Sequence, residues 1–269
     1  MSDFAGITRL IEAVQPWSGH LVIVGGWAHR LHRFHELAVV PGYQPLTTKD
    51  TDLAFANGAP LEGDIGAALM KAGFSEQLSG EQVPPVTHYS SGDAGFYAEF
   101  LTPLAGSGRK RDGTPDVRLH IAGVTAHKLR YLEILLIDPW VITVGPETGF
   151  PLQRTMDLQV VNPVSFIAQK LLIQKYRDTG SKRAQDILYI HDTLELFASA
   201  LPDLRAIWVE KIRPVIGKAT ARKVEDILVA SFSTVSDTIR DAARIPVDRT
   251  LTPERVTAFC EQALREVIK

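Results

Sequence analysis

The run Leu21-Val22-Ile23-Val24-Gly25-Gly26 constrains this chain more than any other segment. Four consecutive apolar residues bounded by a glycine pair read as a short, buried strand ending in a tight turn. A helix is expected to follow, because Trp27, Leu31, Phe34 and Ala38 recur at helical spacing on one face. His29, His32, Arg33 and Glu36 fall on a second, polar face of the same helix. Two glycines let a ligand approach the backbone closely, and the amides at a helix start favour an anion.

Two acidic pieces follow. Asp50-Thr51-Asp52 opens a strand running to Ala56, with Asn57-Gly58 closing it. Residues i and i+2 of a strand point to the same side, so both carboxylates can converge on one site. Phe96 to Leu101 is the best strand candidate between residues 74 and 120, and its alternation puts Tyr97 and Glu99 on one face. Three carboxylates facing a glycine turn suit magnesium held against phosphates, since this hard cation takes oxygen ligands and shares them with substrate phosphates. Each piece alone reads as a turn, a loop end or a surface acid. Their order, with about two dozen residues between the glycines and the acidic pair, favours the chemical reading.

Charge and cysteine content narrow the classes further. Lys plus Arg is 29 against 31 for Asp plus Glu, a formal charge of -2. That excludes a generally basic nucleic-acid coat and a polyacidic tail, but not a local basic groove. Residues 1–149 hold 11 basic and 16 acidic side chains, and residues 150–269 hold 18 and 15. An acidic half fit for magnesium is thus followed by a mildly basic half fit for phosphates. Cys260 is the single cysteine, so an internal disulfide and Cys-rich zinc sites are excluded and a reducing compartment is expected. Met1-Ser2-Asp3-Phe4 lacks a signal-peptide start, and the longest apolar stretches fall far short of the ~20 residues that span a bilayer. The expectation is a cytoplasmic protein without a membrane partner.

The remaining pattern predicts α+β architecture in two domains: a mixed sheet with flanking helices over residues 1–155, then helices over 156–269. Ile65 to Ala72 reads as a helix ended by Gly73. Asn162-Pro163 reads as an N-cap followed by proline at the first helical position, with Val164, Ile167, Leu171 and Leu172 as its apolar stripe. Ile187, Ile190, Leu194 and Phe197 mark a second helix, residues 219–243 a third, and Thr252-Pro253 starts a fourth whose inward face includes Cys260.

Val24-Gly25-Gly26-Trp27-Ala28-His29-Arg30-Leu31-His32, followed by Thr48-Lys49-Asp50-Thr51-Asp52-Leu53, resembles the signature of the nucleotidyltransferase superfamily. Ala98-Glu99-Phe100-Leu101-Thr102-Pro103 resembles the strand that carries that family's third carboxylate. The pattern is most similar to the minimal bacterial type, including toxins of abortive-infection and toxin–antitoxin systems. Val160-Val161-Asn162-Pro163-Val164-Ser165-Phe166-Ile167-Ala168-Gln169-Lys170-Leu171-Leu172 resembles their Pro-x-x-x-hydrophobic-x-x-Lys-Leu helix. Lys182 and Asp186 match the basic residue and the acid that follow, although the compact Arg-x-Lys-Asp run is here Lys182-Arg183-Ala184-Gln185-Asp186.

The resemblance implies a polymerase-beta-like fold and transfer of a nucleoside monophosphate from ATP or another nucleoside triphosphate to an acceptor hydroxyl. It implies Asp50, Asp52 and Glu99 as catalytic ligands of two magnesium ions, and Gly25, Gly26, Lys170, Lys182 and Asp186 as nucleotide-binding residues. The acceptor it implies is tRNA, with an antitoxin protein as partner. An antibiotic or protein acceptor, or an inactive binding module of the same fold, stays open. Lys170 also reads as a lysine snorkelling to solvent, Lys182 and Asp186 as a surface i,i+4 pair, and Arg109-Lys110-Arg111 as either a solvated loop or a contact for phosphate or RNA.

Overall fold

The computed structural model describes residues 4–56, 61–79, 85–92, 95–177 and 179–269. The expected Asn57-Gly58 turn lies outside the described residues. The chain forms two compact units, Met1–Phe34 with Thr47–Val161, and His35–Leu46 with Asn162–Lys269. The first therefore extends past residue 155 to take in one more strand, and a stretch after Phe34 belongs to the second.

In the first unit the strands are β1 (Leu21–Val24), β2 (Asp50–Phe55), β3 (Ser75–Ser79), β4 (Val86–Ser90), β5 (Tyr97–Pro103), β6 (Arg118–Ile121), β7 (Val124–Leu129), β8 (Trp140–Val144) and β9 (Met156–Val160). Its helices are α1 (Ala5–Val14), α2 (Gly25–Leu31), α3 (Ile65–Lys71) and α4 (Leu132–Leu135). Among the described residues the strands make one mixed sheet in the order β3-β4-β5-β2-β1-β9-β8, with β7 on β5 and β6 on β7. β1 is antiparallel to β2 and parallel to β9, while β2 is parallel to β5. All four residues of β1 are buried, as a continuous apolar run at a sheet centre requires.

β5 divides its second edge between two hairpins. β4 is registered on Tyr97 and Ala98, and β7 on Phe100 to Pro103. Two side chains tie these hairpins together: the Thr87 amide donates to His127 Nε2 at 2.8 Å, and the Thr125 amide to the Tyr89 hydroxyl at 3.0 Å.

The glycine pair opens the helix directly. Val24 is extended, Gly25 takes φ +66°, and α2 starts at Gly25 without an intervening turn. The long amphipathic helix with a polar histidine face is corrected here. α2 ends at Leu31, a 3₁₀ turn covers His32–Phe34, and His29, Arg30 and His32 are all buried. His32 Nε2 lies 2.7 Å from the Val161 carbonyl oxygen, and the Arg30 guanidinium stacks 4.2 Å from the Trp27 ring. Such partners let polar side chains occupy interior positions that the helical period marks as solvent-facing.

The second unit holds α5 (Pro163–Ile173), α6 (Gly180–Leu196), α7 (Leu201–Ala206), α8 (Arg213–Phe232), α9 (Asp237–Arg244) and α10 (Pro253–Ile268). α5 begins as its sequence dictates, with Asn162 Oδ1 accepting the Ser165 amide at 2.8 Å. The helix expected over 219–243 is two helices, because Ser236 caps a fresh N-terminus by accepting the Ile239 amide. Cys260 is fully buried on α10. Among the described residues no helix is long and apolar enough to cross a membrane.

Candidate active site

Strand register assembles the predicted carboxylates. Asp52 pairs with Val24 of β1 on one side and with Glu99 of β5 on the other, and Asp50 pairs with Tyr97. The burial pattern gives the face: Thr51, Leu53, Ala98 and Phe100 are buried, while Asp50, Asp52, Tyr97 and Glu99 are half-exposed. All four polar side chains therefore rise from one side of the β2–β5 pair. Gly25 follows Val24 immediately, and a β-carbon built on it would collide with Asp52 Oδ2. A residue with a side chain would fill the cradle in which this carboxylate sits.

The neighbours of the three acids differ. The Thr48 hydroxyl donates to Asp50 Oδ1. His88 of β4 brings Nε2 to 2.9 Å from Glu99 Oε1, and its ring stacks on Tyr97 with centroids 4.3 Å apart. Ser79 Oγ lies 2.9 Å from His88 Nδ1. A hydroxyl proton donated there leaves Nε2 protonated and aimed at Glu99 in the neutral ring. Burial lowers the His88 pKa, with Asp50 opposing the shift, so the ring is neutral at pH 7. The Tyr97 phenol is pushed up to about 12, first by burial and then by Asp50, Glu99 and Asp52. One phenol feeling all three acids marks their convergence electrostatically.

Such a donor set fits magnesium. It offers carboxylate oxygens from three half-exposed side chains on one face of the sheet, the kind of hard donor this cation takes. Elsewhere, among the described residues, His191, Asp192 and Glu195 form a tighter group, with ligand atoms within 4.8 Å of one another. There Arg249 bonds Asp192, and the Tyr43 hydroxyl donates to Glu195 Oε2 at 2.7 Å. That cluster is satisfied by the protein itself and anchors residues 35–46 on α6.

The helical candidates are arranged differently from the sequence spacing. Lys170 and Asp186 are 5% and 1% exposed, and their Nζ–Oδ1 distance is 2.6 Å. Arg177 completes the group, with Nε 2.6 Å from Asp186 Oδ2 and Nη2 3.0 Å from Oδ1. Lys170 therefore neither snorkels to solvent nor leaves Asp186 to Lys182. Lys182 is exposed in the first turn of α6. Burial by itself would raise the Asp186 pKa, but Lys170 and Arg177 outweigh it and hold the carboxyl below its ordinary value. Sequence reasoning missed Arg177 and His88. His88 was legible in the alternation of Val86-Thr87-His88-Tyr89-Ser90, whereas nothing in a nine-residue separation signals the bond from Arg177 to Asp186.

A family model described as nucleotidyltransferase matches residues 2–213. The chain belongs to this nucleotidyltransferase family. No curated protein matches it. Among solved structures it is similar to an antigenic nucleotidyltransferase-like protein from Paracoccidioides brasiliensis, at 16% identity and a TM-score of 0.41, over 90% of this chain and 93% of the other. In this nucleotidyltransferase the glycine pair, the paired aspartates and the third acid all fall inside the matched span.

Proposed function

We propose that this nucleotidyltransferase moves a nucleoside monophosphate from a nucleoside triphosphate to an acceptor hydroxyl in a magnesium-dependent reaction. The observation that carries the reading is the row Val24–Asp52–Glu99 across β1, β2 and β5, with Gly25 against the Asp52 carboxylate. Asp50 and Asp52 would hold two magnesium ions, and Glu99 would either complete their shell or take the proton of the attacking hydroxyl. When bound, magnesium supplies charge neutralisation at the triphosphate and acidifies the hydroxyl.

The chain's own side chains do the rest. Gly25 and Gly26 let phosphate oxygens approach the backbone. Thr48 fixes Asp50, and His88 fixes Glu99 by donating from Nε2. Tyr97 stays protonated at physiological pH, so its hydroxyl serves as a neutral donor beside the three acids. Lys182 offers an exposed cation to a nucleotide phosphate. Lys170 and Asp186 enter as a mutually neutralised pair that supports the unit carrying Lys182. In such a reaction a protein chiefly positions reactants and supplies electrostatics.

On the acceptor, the reading is tRNA modification by a toxin whose partner is an antitoxin protein. A small-molecule acceptor is the competing reading, and it predicts acids lining an acceptor pocket for a cationic drug.

The test is transfer of label from each α-labelled nucleoside triphosphate to tRNA, to aminoglycosides and to protein, with magnesium and with a chelator. Transfer that needs magnesium and disappears in Asp52→Ala is the expected result. Label that stays free with every acceptor, or transfer that survives Asp52→Ala, overturns the reading.

A further inference from the structure

From the β6–β7 arm we infer a docking surface for the phosphodiester backbone of a nucleic-acid strand. Residues 104–130 hold six lysines and arginines against two aspartates, whereas the rest of residues 1–149 holds five against fourteen. The one strongly basic segment of an acidic half is thus concentrated in one arm.

That arm is a built structure. The amides of Lys110 and Asp116 donate to the carbonyls of Thr114 and Gly108, at 2.9 and 2.8 Å, and Leu104 N donates to Leu129 O at 3.0 Å. These bonds present Arg109, Lys110 and Arg111 at an exposed tip. Two of its cations are held by neutral groups. Arg109 donates to the Gly113 carbonyl at 2.9 Å, and Arg130 to the Ser107 carbonyl at 3.2 Å. Carbonyls orient a guanidinium without cancelling its charge. Of the two acids, Asp116 pairs with Lys128 and Asp112 accepts from Thr114.

Arg118 supplies the second observation. Its Nε and Nη2 are buried without a hydrogen-bond partner among the described residues. Guanidinium nitrogens out of water and unbonded are costly, and turning this half-buried side chain outward onto an anionic oxygen would relieve that cost. Arg118 is registered opposite His127, and His127 opposite Leu101, two residues beyond Glu99 on the same face of β5. Two strand spacings, about 10 Å, separate the strand of Glu99 from that of Arg118. A strand bound along the arm by its phosphates would run toward the carboxylates with its sequence unread, since such contacts position and do not specify.

Calling this strand the acceptor rests on the nucleotidyl-transfer reading, whereas its binding to the arm does not. The test is fluorescence anisotropy with a short mixed-sequence single-stranded RNA, titrated from about 50 to about 200 mM salt. Wild-type protein should bind with strongly salt-dependent affinity. The combined variant Arg109→Ala, Lys110→Ala, Arg111→Ala alters only exposed tip positions; it should lose at least tenfold in affinity, with a log–log salt slope shallower by about 2. Arg118→Gln should shallow the slope by about 0.7. Magnesium-dependent nucleoside triphosphate binding, measured on the same proteins, should not change. Absence of RNA binding in the wild type, or unaltered salt slopes in both variants, overturns the surface. Equal affinity for polyglutamate of matched charge overturns the nucleic-acid assignment in favour of an acidic protein. Loss of RNA binding in the variants, together with no nucleotide binding in any protein, would leave the surface standing and defeat the catalytic reading.

Discussion

Gly25 stands against the carboxylate of Asp52 with no space for a β-carbon between them, and its φ of +66° lies where side chains are disfavoured. Both constraints come from one register: Asp52 pairs with Val24, so the first residue of α2 must pass over its side chain. Gly25→Ala is therefore expected to keep the fold at a cost of about 1–2 kcal/mol while pushing Asp52 out of place. Displacement of that order in a catalytic group costs about 100-fold in rate. Thermal melting and kcat/KM for nucleotidyl transfer on the same preparation check this. Unchanged kcat/KM would remove Asp52 from the reaction.

His88 makes a second prediction about the acids. Its Nε2 lies 2.9 Å from Glu99 Oε1, and Ser79 and Tyr97 hold the ring. Residues that orient a metal ligand from behind usually contribute about 10–100-fold to metal affinity. His88→Ala should weaken magnesium binding about tenfold in calorimetry, and His88→Gln, whose amide can still donate, should recover part of it. Tighter binding in His88→Ala would mean that His88 competes with the ion for Glu99.

Much of this site was legible in the sequence, and the physical reason lies in which contacts are local. The apolar run before Gly25, the Asp-x-Asp alternation and the Asn162-Pro163 cap each act within a few residues, so their elements appear where the pattern puts them. The edge strand β8 and its neighbour β9 escaped because β9 takes its place in the sheet through residues far apart, Ile23 with Val160. The buried histidines His29 and His32 escaped for a related reason. A polar residue on a helix reads as exposed until a distant group, such as the Val161 carbonyl beside His32, lies within bonding distance. Asp186 follows the same rule: its spacing suggested Lys182, and the fold supplied Lys170 and Arg177.

That substitution of partners separates two roles that the sequence had merged. Removing one member of a buried ion pair typically costs about 3–5 kcal/mol, because the other charge is left desolvated. Arg177 still bonds both oxygens of Asp186, so Lys170→Ala should lower the urea midpoint by less than that, the equivalent of about 1–3 kcal/mol, still a large fraction of the ~5–15 kcal/mol that holds a protein folded. Lys182→Ala, on an exposed first turn, should stay within about 0.5 kcal/mol of wild type. Any fall in nucleotide affinity in the second variant, at unchanged stability, would identify Lys182 as the phosphate contact. Equal stability of the two variants would contradict the buried pair.

Acid should destabilise the protein in two stages. His127 accepts the Thr87 amide through Nε2, which requires that nitrogen to be unprotonated. Burial first, and Arg118 next, lower its pKa from the ordinary 6.5. Asp186 lies below its ordinary 3.8, because Lys170 and Arg177 outweigh its burial. In both groups the folded value is below the unfolded one, so the unfolded chain takes up the proton first as pH falls. The contribution of each is complete above its ordinary value and is lost as pH drops through the folded value. Stability should therefore be flat near pH 7, decline below about 6.5 as His127 charges and the Thr87 bond breaks, and fall again below about 3.8. His88 shifts in the same direction, so His127→Gln should reduce the slope of the first stage without abolishing it. Urea midpoints measured across this range for both proteins check the assignment. A wild type equally stable at pH 7 and well below 6.5 would show that these rings do not titrate with folding.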